Sequence, residues 1–136
     1  MDYVKQLTER QAGTLPDHLA LEWLEAEPGR VKGRFTVKPF HMAPNTFLHA
    51  ASVIALADSA CGYGCVISKP ENATGFTTIE LKSNFLGTAR EGGVVCEAKL
   101  VHAGKNTQVW DAVVTNEQTG KTMALFRCTQ MILYAK

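Results

Sequence analysis

Asn45-Thr46-Phe47-Leu48-His49-Ala50-Ala51-Ser52-Val53-Ile54-Ala55-Leu56-Ala57-Asp58-Ser59-Ala60-Cys61-Gly62-Tyr63-Gly64 reads as one small-residue helix, with a histidine at its start and a lone carboxylate nine residues on. The pattern predicts a helix over residues 47 to 67. Asn45 or Thr46 is its expected cap, because either side-chain oxygen accepts from the first unpaired amides. Gly62 and Gly64 are expected to fray the last turns before Lys69-Pro70 ends it. At 100° and 1.5 Å per residue, His49 and Asp58 stand about 180° around and roughly 13 Å along the axis from each other. That spacing denies them one site within one chain. They belong to two sites, or they meet across a symmetric dimer.

Working outward, the rest of the chain reads as strands around this helix. Residues 2–11 repeat apolar and charged positions at loose helical spacing, which predicts a short N-terminal helix within residues 1–12, broken by Leu15-Pro16-Asp17. Residues 19–25 and 31–37 read as two strands joined by Glu27-Pro28-Gly29-Arg30, with Pro and Gly where a type II turn wants them. Beyond the helix come four strands, at 76–86, 94–102, 107–116 and 121–134, with turns short enough to force antiparallel neighbours. In the first, Ile79, Leu81, Ser83 and Phe85 are expected on one face and Thr78, Glu80, Lys82 and Asn84 on the other. The last is apolar on both faces: Ala124, Phe126, Cys128 and Ile132 against Met123, Leu125, Met131 and Leu133. One helix covers only one face of a sheet, so a second copy is expected against the other.

The totals bound the function. At 136 residues, 46% hydrophobic and 20% charged, the chain is one domain spanning 1–136. A net charge of +1 argues against nucleic-acid and membrane partners. Cys61, Cys65, Cys96 and Cys128 form no CxxC pair, so no metal site is expected, and reduced buried thiols are. Met1-Asp2-Tyr3-Val4-Lys5-Gln6 is not an apolar signal segment, and no run of 18 apolar residues occurs. The expected compartment is the cytoplasm.

The segment His49-Ala50-Ala51 through Leu56-Ala57-Asp58 resembles the His-Gly-Gly…Leu-Ala-Asp/Glu segment of the phenylacetate-degradation (PaaI-like) and 4-hydroxybenzoyl-CoA thioesterases. Glu80-Leu81-Lys82-Ser83-Asn84-Phe85, Arg90-Glu91-Gly92, His102-Ala103-Gly104-Lys105-Asn106-Thr107 and Ala124-Leu125-Phe126-Arg127 are similar to the later strands of the same family. The resemblance spans roughly residues 13 to 133. It implies an α+β hotdog fold, in which a five- to six-stranded antiparallel β-sheet wraps a long central α-helix. It implies an acyl-CoA thioester hydrolase with no cofactor beyond the coenzyme A of its substrate, acting as a homodimer that assembles to a homotetramer.

The resemblance also implies roles. Asp58 takes the position of the catalytic base or nucleophile. His49 and the amides of Ala50 and Ala51, from the other subunit, bind the thioester carbonyl, where helix N-terminal amides suit an oxyanion. Asn45 is either the family's amide donor, displaced by two residues, or a helix cap. Ser59, Asn84 and Phe85 fall among the residues that bind substrate or coenzyme A, with Phe85 near the acyl pocket and favouring an apolar or aromatic group. Arg90, Lys105, Asn106 and Thr107 fall to the coenzyme A phosphates. His18, His41 and His102 are expected to be structural or exposed, and Trp23 and Trp110 to be packing residues.

Two departures stand out. Ala50-Ala51 replaces Gly-Gly and adds methyls where the thioester approaches, and Gly62 stands where the hydroxybenzoyl branch carries Ser or Thr. A hydratase on this fold needs His five residues after the acid, and Tyr63 stands there. A non-catalytic acyl-CoA binding module is the remaining alternative.

Overall fold

A computed structural model describes residues 1–136. The helices are α1 (Tyr3–Arg10), α2 (Leu15–His18) and α3 (Ala50–Ser68), with a single 3₁₀ turn at Pro39–His41. The strands are β1 (Glu22–Glu27), β2 (Arg30–Thr36), β3 (Ala73–Phe85), β4 (Gly93–Ala103), β5 (Thr107–Asn116) and β6 (Thr122–Tyr134). They form one six-stranded sheet in the order β1-β2-β4-β5-β6-β3, every neighbour antiparallel. The sheet curls around α3, as the α+β hotdog expectation requires. The core lies between them, where Leu56, Ala57, Ala60 and Cys61 meet Val31, Phe35, Val94, Cys96, Trp110, Val114 and Phe126. Removing a side chain such as the fully buried Leu56 costs about 2–5 kcal/mol.

Several local expectations are corrected. The N-terminal helix ends at Arg10, before Leu15-Pro16-Asp17, but that segment is no plain break: it opens the one-turn α2, since Pro is tolerated in a first turn. α3 starts at Ala50, and its cap is His49, whose Nδ1 accepts from the Ala51 N–H at 2.9 Å. Asn45 and Thr46 belong to the preceding loop. Thr46 sits at φ 71°, the Ala43 N–H donates to the Phe47 carbonyl at 2.7 Å, and Met42 bridges Leu48. Gly62 and Gly64 do not fray the helix. A Cβ at Gly62 would press 3.2 Å from the Phe76 ring, and one at Gly64 would collide with the Trp110 indole. Their bare backbone lets helix and sheet close together. Trp110 donates to Gln108 at 2.9 Å, and Gln108 donates to the Ser68 carbonyl at 3.2 Å, which ties down the end of α3.

β3 is an edge strand and pairs only with β6. Its register shifts between Thr78 and Glu80. This bulge interrupts the expected alternation: Thr78 turns toward the helix and donates to buried Gln130 at 2.6 Å, while Ile79 is left exposed. Beyond the bulge, Leu81, Ser83 and Phe85 pair with the inward Cys128, Phe126 and Ala124, as the pattern says. In β6, Leu125, Met131 and Leu133 point outward and are exposed, but Met123 is buried beside Ala124. The β5–β6 register shift between Val114 and Thr115 accounts for the exception. α3 is long and apolar enough to cross a membrane by composition alone, yet half of it is buried inside this fold.

Candidate active site

Each of the first amides of α3 has a different fate. The Ser52 N–H donates to the His49 carbonyl at 2.9 Å and the Ala51 N–H to the His49 ring, while the Ala50 N–H meets no acceptor in the chain. Within one chain the expected pair of free donors, Ala50 and Ala51, is therefore one. The same hydrogen bond fixes the tautomer of neutral His49. Its Nδ1 accepts, so its proton sits on Nε2, which bonds nothing in the chain and faces outward as a donor. Asn45 spends its Oδ1 on the Phe47 N–H at 3.2 Å and keeps its side-chain N–H groups unspent.

Two clefts flank this helix start, each of about 290 Å³. One is walled by Phe47, Leu48, Val53, Phe85 and Thr88 and reaches Ala50. Outside it, the Arg90 guanidinium stacks over the Phe47 ring at 5.2 Å. The other is walled by Leu15, Leu19, Phe40 and Met42 and reaches His49 and Ala51. The fold thus brings Asn45, His49, Ala50, Ala51, Phe85 and Arg90 to one end of α3. Phe47 joins them. The sequence pattern placed it inside the helix, and only the loop geometry shows it as a cleft wall.

Asp58 lies elsewhere. It is seven residues from Ala51, which is 20° short of two turns, so both share one flank of α3 about 10 Å apart along the axis. This flank, with Ala55, Ser59 and Val66, is the partly open side of an otherwise buried helix. Asp58 lines neither cleft. Its Oδ1 is nevertheless buried and has no hydrogen-bond partner, and burial pushes its pKa above the ordinary carboxylate value of 3.8. Only one other buried side-chain oxygen lacks a partner, Ser83 Oγ on the inward side of β3.

Other expected residues are dispersed. Asn84 points to the outer sheet face, in a shallow depression with Lys82, Asp111 and Arg127, away from the helix start of its own chain. Lys105, Asn106 and Thr107 lie at the far end of the sheet, where the Tyr134 hydroxyl donates to the Lys105 carbonyl and the Ile132 N–H to the Asn106 carbonyl at 2.8 Å. That end adjoins Ser68, a helix length of about 28 Å from Arg90. The cysteines are no nucleophiles: all four are free and buried, and burial pushes the Cys65 and Cys96 thiols up to about 12.

The functional residue least visible in sequence is His41. It is fully buried between Phe35 and Phe40, at ring distances of 4.2 and 4.4 Å. Its carbonyl accepts from the His49 N–H at 3.0 Å and the Ser52 hydroxyl at 2.8 Å, so it holds the helix start in place.

Comparison with known proteins gives the family and the fold. Residues 45–123, more than half of the chain, match the Thioesterase superfamily. The chain is 30% identical over 115 residues to a 1,4-dihydroxy-2-naphthoyl-CoA hydrolase of Listeria monocytogenes, covering 85% of this chain and 92% of that one. It is 28% identical over 110 residues to the acyl-coenzyme A thioesterase PaaI of Escherichia coli, covering 80% and 75%. Among solved structures, a mutant thioesterase of Pseudomonas aeruginosa superposes with a TM-score of 0.90 at 23% identity, covering 96% of this chain and 93% of that one. Escherichia coli PaaI superposes with a TM-score of 0.83 at 22% identity, covering 98% and 96%. The match over residues 45–123 and the relative at 30% identity decide the family: this chain belongs to the thioesterase superfamily.

Proposed function

We propose that the chain hydrolyses a medium-chain or aromatic acyl-CoA thioester to free acid and coenzyme A, in a site completed by two subunits. The observation that carries this reading is Asp58: a carboxylate with a buried, unpaired oxygen on the open flank of α3, out of reach of its own helix start. Burying such a group unpaired costs free energy, and structures keep it where it is used. A two-fold copy that runs its α3 antiparallel along that flank brings the partner's Asp58 toward the free Ala50 N–H. It also brings the partner's Lys105, Asn106 and Thr107 toward Arg90, where the two ends grip one coenzyme A.

The chemistry follows from the donors. The thioester oxygen accepts from the Ala50 N–H and the Nε2–H of His49, with the Asn45 amide in reserve. These donors strengthen their hold as the oxygen gains charge. The partner's Asp58 takes a proton from water, the water oxygen bonds to the carbonyl carbon, and the C–S bond breaks. The departing sulfur takes the proton back. Direct attack by Asp58 gives a mixed anhydride that water then opens, and transfer of ¹⁸O from labelled solvent into the carboxylate marks that route. The acyl group lies between Phe47 and Phe85, whose apolar walls favour medium-chain and aromatic acids. Ser59, beside Asp58, faces the same flank. Four buried free thiols support the cytoplasm as its compartment, and the outward Leu125, Met131 and Leu133 support a dimer of dimers.

The test is thiol release from short, medium, long, phenylacetyl and hydroxybenzoyl-CoA by wild type beside Asp58→Asn. General-base loss costs roughly 10²–10⁴ in kcat. Wild type without turnover that still binds coenzyme A derivatives would favour the binding-module reading, for which the Ala51 N–H held by His49 is the specific observation.

A further inference from the structure

The ring of His41 is wired as well as its backbone. The Lys38 N–H donates to Nδ1 at 2.9 Å, and Nε2 donates to the Leu19 carbonyl at 2.7 Å. Only neutral imidazole with its proton on Nε2 makes both bonds. One residue therefore joins three segments: the end of α2 at Leu19, the 3₁₀ turn from Lys38, and the start of α3 through its carbonyl. Leu19, Phe40 and Met42, all set by this junction, wall the cleft that holds the His49 ring.

We propose that His41 is a positioning residue whose neutral ring latches the helix start, so that a single protonation releases His49 and the free Ala50 N–H from their working geometry. A proton on Nδ1 would face the Lys38 N–H, donor against donor, and place a charge in a fully buried site. Charged groups on the surrounding elements do not relieve this. Asp17 of α2 accepts from the Gly13 N–H at 2.9 Å, and Arg34 of β2 is paired with Glu22 and Glu117. His18 of α2 is exposed, and His49 is the group being held. Lys38 itself adds positive charge near the ring. Burial, with Lys38 behind it, holds the His41 pKa below its ordinary 6.5, so the latch stays closed at neutral pH and opens as pH falls below that range.

The kinetic arm of the test rests on the thioesterase reading; the structural arm does not. The variants are His41→Asn, whose Oδ1 keeps the Lys38 bond and takes no proton, and His41→Ala. In wild type, the hydrogen-exchange protection of the His49 and Ser52 amides should collapse as pH is lowered from neutral to below the point where the His41 ring takes its proton, read from the ring's own NMR titration, while the β4 and β5 amides stay protected. In His41→Asn that pH dependence should be absent. Turnover of the best acyl-CoA should fall about tenfold in His41→Asn and further in His41→Ala, chiefly in kcat, with melting curves used to set aside unfolded protein. Protection that is flat with pH in wild type, or lost equally in wild type and His41→Asn, overturns the latch. Loss of protection in a protein without turnover keeps the latch and removes the thioesterase reading.

Discussion

At the residue scale, the role proposed for Asp58 sets function against stability. Its folded pKa is raised by burial, so the folded state holds the proton more tightly than the unfolded chain does. The residue therefore favours folding at acid pH, and that contribution is lost as pH rises through the raised value. At pH 7 the carboxylate is a burden. Asp58→Asn should melt above wild type at pH 7, with the gain gone below pH 4, even as its kcat falls roughly 10²–10⁴-fold. Calorimetry across that range checks the sign. With Asp58 as the base of the proposed mechanism, the same shift should set the acid limb of kcat/KM above the ordinary carboxylate range, and a pH–rate profile checks it. Asp58 stood out in sequence because an isolated acid in an Ala/Leu/Ile helix is costly to bury without a use. The wiring of His41 was not legible there, because Pro39-Phe40-His41 carries no spacing signal, and the partners of its ring and carbonyl, Leu19 and Ser52, lie 22 and 11 positions away along the chain.

At the scale of elements, periodicity foretold the pieces and long-range packing set their ends. The four strands after α3 were readable from alternation and turn residues, and each came within a few residues of its place. The bulge at Thr78–Glu80 was not, because its cause lies in Gln130, 52 positions along the chain from the Thr78 hydroxyl that bonds it. Nor was the cap: Asn45 and Thr46 suit a helix start by chemistry, yet the Met42–Leu48 bridge holds them in a loop and passes the role to His49. The glycines of α3 looked like weak points and are close-approach points. Gly64→Ala would drive a methyl into the Trp110 ring, and overpacking of this kind costs about 1–3 kcal/mol. A denaturant titration should show this loss, although alanine is the better helix former.

At the scale of the whole molecule, a site shared between subunits makes a prediction that a self-contained one does not. His49→Ala and Asp58→Asn homodimers should each be nearly inactive. Refolded together, half the dimers are mixed, and each mixed dimer holds one site with both functional groups. Activity should return to about a quarter of wild type, by counting subunits in a two-fold dimer. No recovery on mixing would mean that each chain works alone.

The open edge of β3 writes its own address. Its outward side carries Glu80 and Lys82 on either side of Leu81. An antiparallel copy centred on Leu81 sets each Glu80 opposite the partner's Lys82, twice. Sliding the copy by two residues one way puts lysine against lysine; sliding it the other way puts glutamate against glutamate. Like charges directly opposed destabilise a strand pair. Three consecutive residues thus act as a palindrome: they accept their own reverse in one alignment and reject its nearest misreadings.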